Sequence, residues 1–238
     1  MRWTDRLERR SNPERTDHDT LGNRAMTTQP GILAIFHQCR PGREAEFEAW
    51  YQGEHLIERL SVPGFLFGRR YKGMAGTAGY FCFYLVETPA VLTSKPYLER
   101  LDNPTPMTRK MMAEVFVGMN RTVCARLSRG GRFRGAFAAI ARFNQRQDDA
   151  ALSDALEKFT GDLAVAGGEI WVAVDAAGMP VSQEERLRGG DNKIAGALMI
   201  ETLYEHDAEA VVAQLKKQFP QADIGLFQSL CEIGRGDL

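Results

Sequence analysis

The fold is decided by residues 31–72, which read GILAIFHQCRPGREAEFEAWYQGEHLIERLSVPGFLFGRRYK. The stretch begins with Gly31–Cys39, an apolar run bounded by glycine and by a Pro-Gly pair, which predicts a buried strand. Arg43–Leu60 changes to a helical period and carries glutamates early, where acids suit the helix dipole. Its apolar residues recur at three- and four-residue steps: Phe47, Trp50, Tyr51 and Ile57. Phe65–Lys72 is predicted as a second strand, so the chain opens β-α-β.

The residues that follow complete a four-stranded unit. Tyr80–Glu87 (YFCFYLVE) predicts a third strand, which forms a hairpin with the second across a glycine-rich linker. A second helical region opens at Thr88 and is interrupted by prolines, and Asn120–Leu127 predicts a fourth strand. The element order of this half is therefore βαββαβ.

The second half repeats that order with little sequence identity. Strands are predicted at Gly135–Phe143, Glu169–Ala176, Ile194–Glu205 and Ala222–Glu232. Helices are predicted over Asp148–Ala166, capped by Asp148 or Asp149, and from a cap at Asp207 to Pro220. Gly178–Lys193 is predicted to be a polar, glycine-containing connection. A repeat of this length indicates a duplicated domain rather than a solenoid.

Several strands are apolar on both faces, as in Ala136–Ala141 and Ala195–Ile200. Such strands require burial on both sides, and packing one sheet against the other supplies the second cover. The predicted fold class is α+β, with two tandem ferredoxin-like βαββαβ repeats whose antiparallel sheets close into one intrachain α+β barrel. The predicted organisation is a leader (1–30), a first repeat (31–128), a linker (129–134) and a second repeat (135–238).

Residues 1–30 mix arginines with acids, and their few apolar residues show no helical or strand period. Such a segment cannot bury enough apolar surface to offset its ordering entropy, so we expect a disordered leader. It has no apolar core of a secretory signal. Because Met26 stands just before the first predicted strand, we hypothesise that it is the true start.

Composition excludes several function classes. The 238 residues include 30 basic and 31 acidic side chains, for a formal net charge of −1, so nucleic acid is a poor partner. No apolar run approaches the ~18 residues of a membrane helix, so no membrane partner is expected. The four cysteines lack CxxC spacing, which argues against a zinc site or a disulfide framework and favours reduced thiols in a cytoplasmic protein.

The segment Trp50-Tyr51-Gln52-Gly53-Glu54-His55-Leu56 is followed by Pro63-Gly64-Phe65 and Arg69-Arg70-Tyr71. Over residues 31–127 this pattern resembles the EthD-like group of the dimeric α+β barrel superfamily, here in a fused tandem form. The second half has no counterpart of the histidine, so the resemblance implies one functional pocket and one degenerate half. Superfamily members include monooxygenases, lactone isomerases, polyketide cyclases, dehydratases and haem enzymes, so the fold does not give the reaction.

The catalytic candidates are His55, Tyr51 and His37. Tyr51 and His55 lie four residues apart and share a helix face, where a neutral imidazole can remove a proton and a tyrosine hydroxyl can orient it. His37 is in phase with the apolar residues of the first strand and can face the same cavity. The alternative interpretations are a histidine near a helix end, an ordinary core tyrosine and a satisfied histidine at a strand end.

The substrate-binding candidates are Arg69, Arg70, Tyr84 and Trp50. Adjacent strand residues point to opposite faces, so only one of the two arginines can face a given cavity, where it can hold a substrate carboxylate. For each arginine taken alone a solvated strand edge is the favoured interpretation, and packing explains Tyr84. Glu54 is expected to be solvent-exposed.

Three functional hypotheses remain open. The first is a cofactor-free enzyme, an isomerase, cyclase, lyase or monooxygenase, acting next to a carbonyl on an aromatic, lactone or polyketide-like small molecule. The second is a haem-dependent oxidoreductase, which needs an axial ligand that the second half lacks before its last helix. The third is a non-catalytic barrel for association. No HxH or HExxH spacing predicts a metal site. The closed barrel does not require a homodimer but permits one.

Overall fold

The computed structural model describes residues 29–74, 76–174 and 181–238. Most of the predicted leader, including Met26, lies outside the described residues, as do the first residues of the predicted connection 178–193. Within the described residues, no helix has both the length and the apolar character needed to cross a membrane.

Eight strands lie within the described ranges. They are β1 (Gly31–Cys39), β2 (Phe65–Met74), β3 (Tyr80–Val86), β4 (Phe116–Gly131), β5 (Phe137–Phe143), β6 (Val165–Ala173), β7 (Gly196–Thr202) and β8 (Asp223–Gly234). They form a closed barrel in the order β1-β3-β2-β8-β5-β7-β6-β4. Every paired strand is antiparallel to its neighbours. Each half thus contributes four consecutive barrel strands, which confirms the predicted fold class.

The helices cover the outside of the barrel. The first, α1, runs over Glu44–Trp50, continues as a π-helical turn over Tyr51–His55 and ends as an α-helix over Leu56–Leu60. The others are α2 (Lys95–Asp102), α3 (Pro106–Glu114), α4 (Asp149–Thr160), α5 (Gln183–Leu187) and α6 (Glu205–Gln218), with 3₁₀ turns at Pro89–Thr93 and Arg235–Asp237.

Side chains alternate in direction along the strands, and both faces are buried as the apolar pattern predicts. In β1, Ile32, Ala34 and Phe36 point into the barrel, whereas Leu33 and Ile35 point toward the helices. The barrel interior is filled largely by aromatic rings: Phe36, Tyr71, Phe81, Phe83, Trp171 and Phe227. The barrel therefore encloses a packed core, and a binding site has to lie between the sheet and the helices.

The two halves are joined through β4–β6 and β2–β8 pairing. Strand β4 continues to Gly131, three residues into the predicted linker. Gly131 has φ of 75°, and a Cβ atom there would lie 2.4 Å from the Gly167 Cα atom on β6. Only glycine allows the strands this approach, so the junction between the halves is part of the barrel wall.

Three local predictions differ from the structure. Helix α4 begins after the predicted cap, with the Asp148 side chain accepting from the Ala151 N–H, but it ends at Thr160 and leaves Leu163 exposed. Asp207 does not cap α6, which begins at Glu205. There the aspartate lies in the first turn, where its charge suits the helix dipole. The predicted polar connection contains the helix α5.

Candidate functional site

A small cavity lies between β1 and the helices of the first half. Its volume is about 20 Å³, enough for roughly one water molecule. Its apolar wall comes from two helices and two strands: Leu33, Ile35, Leu101, Met112, Phe116 and Met119. The remaining lining side chains are polar, and they come from both halves of the chain.

The π-helical turn in α1 decides which residues face this cavity. One extra residue in the turn shifts the inward face of the helix by about one position. Ile57, which simple periodicity places inward, is 44% exposed, whereas Leu56 and Leu60 are buried. The same shift turns His55 and Arg59 inward. The prediction for Ile57 was wrong because a π turn leaves no signal in a 3.6-residue period.

His55 lines the cavity and is 4% exposed. Its ring lies 4.4 Å from the Trp50 ring and 5.0 Å from the Tyr51 ring, measured between centroids. Its Nδ1 atom is buried without a hydrogen-bond partner among the described residues. Burial, with the nearby charges of Arg59 and Arg188, lowers the pKa of His55 well below 6.5. The imidazole is therefore neutral at physiological pH and can accept a proton.

Tyr51 lines the same cavity, one π turn before His55. Its hydroxyl lies 3.3 Å from the Tyr84 hydroxyl, and the Arg70 guanidinium carbon lies 4.1 Å from the centre of its ring. Burial raises the pKa of Tyr51 well above 10, so the hydroxyl stays protonated and can donate a hydrogen bond. The predicted pairing of Tyr51 with His55 on one helix face is confirmed.

Three guanidinium groups line the cavity. Arg59 donates from Nη2 to the Glu184 carboxylate, and Arg121 donates to the Tyr97 hydroxyl at 2.6 Å. Arg188 donates to both carboxylate oxygens of Asp191 at 2.7 Å. Against these three cations stand two carboxylates, so with His55 neutral this group of side chains carries one net positive charge. Such a site favours an anion, or an anion that forms during a reaction.

Two of the lining residues come from the second half of the chain. Helix α5 supplies Glu184, and Arg188 follows its last residue. The cavity wall in the first half is thus completed by a segment for which the sequence predicted only a polar connection. The overlooked polar residues are Arg59, Tyr97, Arg121, Glu184 and Arg188. The i,i+4 spacing of Glu184 and Arg188 was the signal available for two of them.

His37 does not line the cavity. Its ring packs against Phe47, Tyr80 and Phe116 at centroid distances of 5.1, 5.5 and 4.6 Å. Its Nδ1 lies 3.3 Å from the Gln38 carbonyl oxygen. Burial lowers the pKa of His37 to about 3. The structure therefore places His37 in the aromatic core behind the cavity, on the predicted face of β1.

Arg69 and Arg70 point to opposite faces of β2, as adjacent strand residues must. Both are buried, so a solvated strand edge is wrong for both, because β8 pairs with β2 and closes the barrel. Arg70 faces the helices and donates to Glu48 at 2.8 Å. Arg69 lies at the barrel end, paired with Glu201 and 2.7 Å from a Glu232 oxygen. Neither arginine lines the cavity.

Trp50 and Tyr84 support the cavity residues from behind. The Trp50 indole packs against the His55 ring at an interplanar angle of 34°, and its Nε1 donates to Thr108 and Glu54 at 3.3 Å each. Glu54 also accepts from the Thr105 and Thr108 hydroxyls at 2.5 and 3.0 Å. The expectation that Glu54 is solvent-exposed was wrong, because it fixes α1 to α3.

The side chains of the described residues bear on metal and haem binding. Within residues 29–74, 76–174 and 181–238, no three histidine, cysteine, aspartate or glutamate side chains are arranged to hold a metal ion. The single histidine of the second half, His206, has a side chain that is 77% exposed, and its Nε2 lies 3.3 Å from Asp207. A surface position does not fit an axial haem ligand, so the second half does not supply the residue that the haem hypothesis needs.

The association hypothesis expects an exposed apolar patch on the helices and no enclosed cavity. Exposed apolar side chains do line a surface groove, but Phe133, Leu163 and Leu203 belong to loops rather than helix faces. The first half contains a cavity with His55 in its wall. This pocket is the feature that distinguishes a small-molecule site from a purely associative barrel.

No family model matches the chain, and no curated protein matches it. Solved structures do share its fold. An anthrone oxidase-like protein has a TM-score of 0.57 at 8% identity, covering 89% of this chain and 95% of its own. A proposed monooxygenase from Fusobacterium nucleatum has a TM-score of 0.54 at 8% identity, with 89% and 97% covered. A proposed monooxygenase from Lactobacillus acidophilus has a TM-score of 0.51 at 8% identity, and the match covers 87% of this chain and 97% of its own.

Proposed function

We propose that this chain binds a small aromatic or carbonyl-containing molecule in the first-half cavity. His55 then takes a proton from the carbon next to the carbonyl, without a cofactor. One observation carries the proposal: a buried, neutral histidine with an unpaired ring nitrogen lines a cavity whose charged side chains are three arginines and one glutamate. Neutral imidazole is a general base at physiological pH.

The arginines of the cavity wall can stabilise the negative charge that this proton transfer creates. A histidine whose pKa lies well below 6.5 is a weak base, so the carbanion must be stabilised by its surroundings. Removal of the proton converts the carbonyl into an enolate, which places negative charge on oxygen. The guanidinium groups of Arg59, Arg121 and Arg188 supply a positive field in a site that excludes water. The Tyr51 hydroxyl is a further donor.

The apolar wall favours an aromatic substrate. Leu33, Ile35 and Phe116 present hydrocarbon surface beside the polar groups. The names of the structural neighbours agree with this class, because an anthrone is an aromatic ketone with an acidic methylene group. The resemblance to the EthD-like group supports the same site, since its aromatic–histidine spacing is that of Tyr51 and His55. Isomerases, cyclases, lyases and cofactor-free monooxygenases can all start from such an enolate.

The shared first step can be measured directly. The protein is incubated in D₂O with anthrone, a β-keto ester or a lactone, and loss of the acidic C–H signal is followed by NMR. We expect the wild type to accelerate exchange of at least one compound over buffer, and His55→Gln to lose roughly 100-fold of that rate. His206→Gln is the matched control, since that side chain lies on the surface. Exchange no faster than in buffer for every compound, or full activity in His55→Gln, contradicts the proposal.

A further inference from the structure

The cavity that holds His55 is too small for any substrate of the proposed class. Its volume of about 20 Å³ accepts roughly one water molecule, whereas a bicyclic aromatic ligand needs several times that volume. Part of the wall must therefore move when a ligand enters. The element that contributes charged groups to the wall from the other half of the chain is α5, with Glu184.

Arg59 and Glu184 are joined where both side chains are almost fully buried, at 3% and 4% exposure. The contact is one-sided: Arg59 donates from Nη2 to one oxygen of Glu184, while its Nη1 is buried with no partner among the described residues. A guanidinium group is shaped to hold a carboxylate through two parallel hydrogen bonds. The site therefore offers a carboxylate more donors than Glu184 uses.

A second unpaired group lines the same cavity, the Nδ1 atom of His55. Buried polar atoms are normally hydrogen-bonded, and an unpaired one costs free energy. The unpaired Nη1 of Arg59 is a donor that an oxygen atom of a ligand can use, and the unpaired Nδ1 of His55 beside it is available to accept a proton. A ligand with an acidic group carries such an oxygen.

Few polar contacts hold α5 in place. Besides the Arg59–Glu184 pair, the Gln183 N–H donates to Asp102 at 2.9 Å, and Arg186 Nη2 lies 4.0 Å from the same carboxylate. The helix is five residues long and does not pair with the barrel. A short helix with few contacts to the rest of the protein has a low free energy of local opening. We therefore expect that α5 can move away from the cavity while the barrel strands stay paired.

We propose that the ligand of this cavity carries a carboxylate group that displaces Glu184 from Arg59, so that Glu184 is an internal substitute for the ligand's own acid. This assignment deepens the proposed function by naming the anionic group of the same site's substrate. Displacement of Glu184 leaves Arg59, Arg121 and Arg188 opposite Asp191 alone, and a ligand carboxylate restores the balance. Planar carboxylate matches the half-used guanidinium fork of Arg59 better than a neutral carbonyl does.

The test uses 1-naphthoate and its neutral analogue 1-naphthamide, neither of which has an exchangeable acidic carbon. Their affinities for wild type, Glu184→Gln and Glu185→Gln are measured by calorimetry at pH 7. We expect Glu184→Gln to bind naphthoate at least tenfold more tightly than wild type, because the internal competitor has lost its charge. Its affinity for naphthamide should be unchanged. Glu185→Gln makes the same change of charge on α5 at a residue that forms none of the described ion pairs, and it should behave as wild type.

Equal naphthoate affinity in wild type and Glu184→Gln, or an equal gain for naphthamide, overturns the inference. A second measurement needs no variant, in case Glu184→Gln folds poorly. Naphthoate, but not naphthamide, should speed hydrogen exchange at the Arg186 and Arg188 amides, which are bonded to Ser182 and Glu184. Unchanged or slower exchange there also overturns it.

Each of the two proposals can be contradicted without the other. His55→Gln should retain naphthoate binding, because Arg59 and not His55 holds the acid. Tighter naphthoate binding by Glu184→Gln, together with proton exchange no faster than in buffer, supports the carboxylate site and contradicts the proposed reaction. Proton exchange that depends on His55, with equal naphthoate affinity in wild type and Glu184→Gln, supports the reaction and contradicts the proposal of a ligand carboxylate.

Discussion

Arg59 of the first half and Glu184 of the second half form an ion pair from which water is almost wholly excluded. The two residues are 125 positions apart in the chain, yet they meet in the wall of one cavity. The pair therefore links the closing of the cavity to the packing of the two halves. Its contribution to stability and its place in ligand binding can be measured independently.

Glu184→Ala should lower the free energy of unfolding by about 3–5 kcal/mol, because it leaves the Arg59 charge buried without a partner. Replacing both residues, Arg59→Met with Glu184→Leu, should recover most of that loss, since an apolar pair of similar volume avoids the cost of desolvation. Urea unfolding of the two proteins checks this. A double variant as unstable as Glu184→Ala would show that the loss comes from packing of α5 rather than from the unpaired charge.

The two buried histidines should make the protein less stable in mild acid. Their pKa values are lowered in the folded state, His37 to about 3 and His55 well below 6.5, whereas both titrate near 6.5 when unfolded. Below pH 6.5 the unfolded chain binds protons that the folded chain excludes. Stability is therefore complete above pH 6.5 and falls below it, by up to about 1.4 kcal/mol per pH unit for each histidine.

His37→Phe isolates one of these contributions. The slope of unfolding free energy against pH between pH 6 and pH 5 should decrease by about 1.4 kcal/mol per pH unit relative to wild type. Carboxylates titrate equally in both proteins, so the difference belongs to His37. An unchanged slope in His37→Phe would mean that His37 is protonated in the folded protein.

The proposed proton transfer has its own dependence on pH. Because the pKa of His55 is well below 6.5, the imidazole stays unprotonated as the pH falls from 7.5 to 6. The rate of deuterium exchange into the substrate, after subtraction of the rate in buffer, should be constant over this range. A rate that halves near pH 6.5 would assign the base to a solvated histidine instead.

The π turn of α1 makes a testable exception to helical periodicity. Leu56→Ala should cost about 2–5 kcal/mol, because Leu56 is packed in the core, whereas Ile57→Ala should change stability by no more than about 0.5 kcal/mol. An uninterrupted α-helix predicts the reverse order. Thermal or urea unfolding of the two variants distinguishes a helix with a π turn from an uninterrupted α-helix.

The architecture could be predicted from the sequence because its signals are local. The apolar strands Ala136–Ala141 and Ala195–Ile200 require cover on both faces wherever they lie, and the closed barrel supplies it. The Tyr51–His55 spacing likewise identified one edge of the cavity. Both inferences depend on neighbouring residues in the chain.

The rest of the site depends on contacts that no local pattern records. Arg59 is inward only because the π turn adds a residue, and Glu184 reaches it from a segment whose own composition indicates a solvated loop. Arg69 and Arg70 are buried because β8 pairs with β2 across the whole length of the fold. These positions depend on contacts between the two halves, and the periodicity within either half carries no information about those contacts.

The pairing of β4 with β6 and of β2 with β8 has a consequence for how such a chain can change over generations. Neither half has a complete surface of its own, so neither can be lost or exchanged between genes as a self-sufficient module. The second half, whose one histidine lies on the surface, contributes barrel strands and part of the wall of the first half's cavity. Substitutions in α5 can then change one wall of the cavity while the elements that carry His55 stay constant.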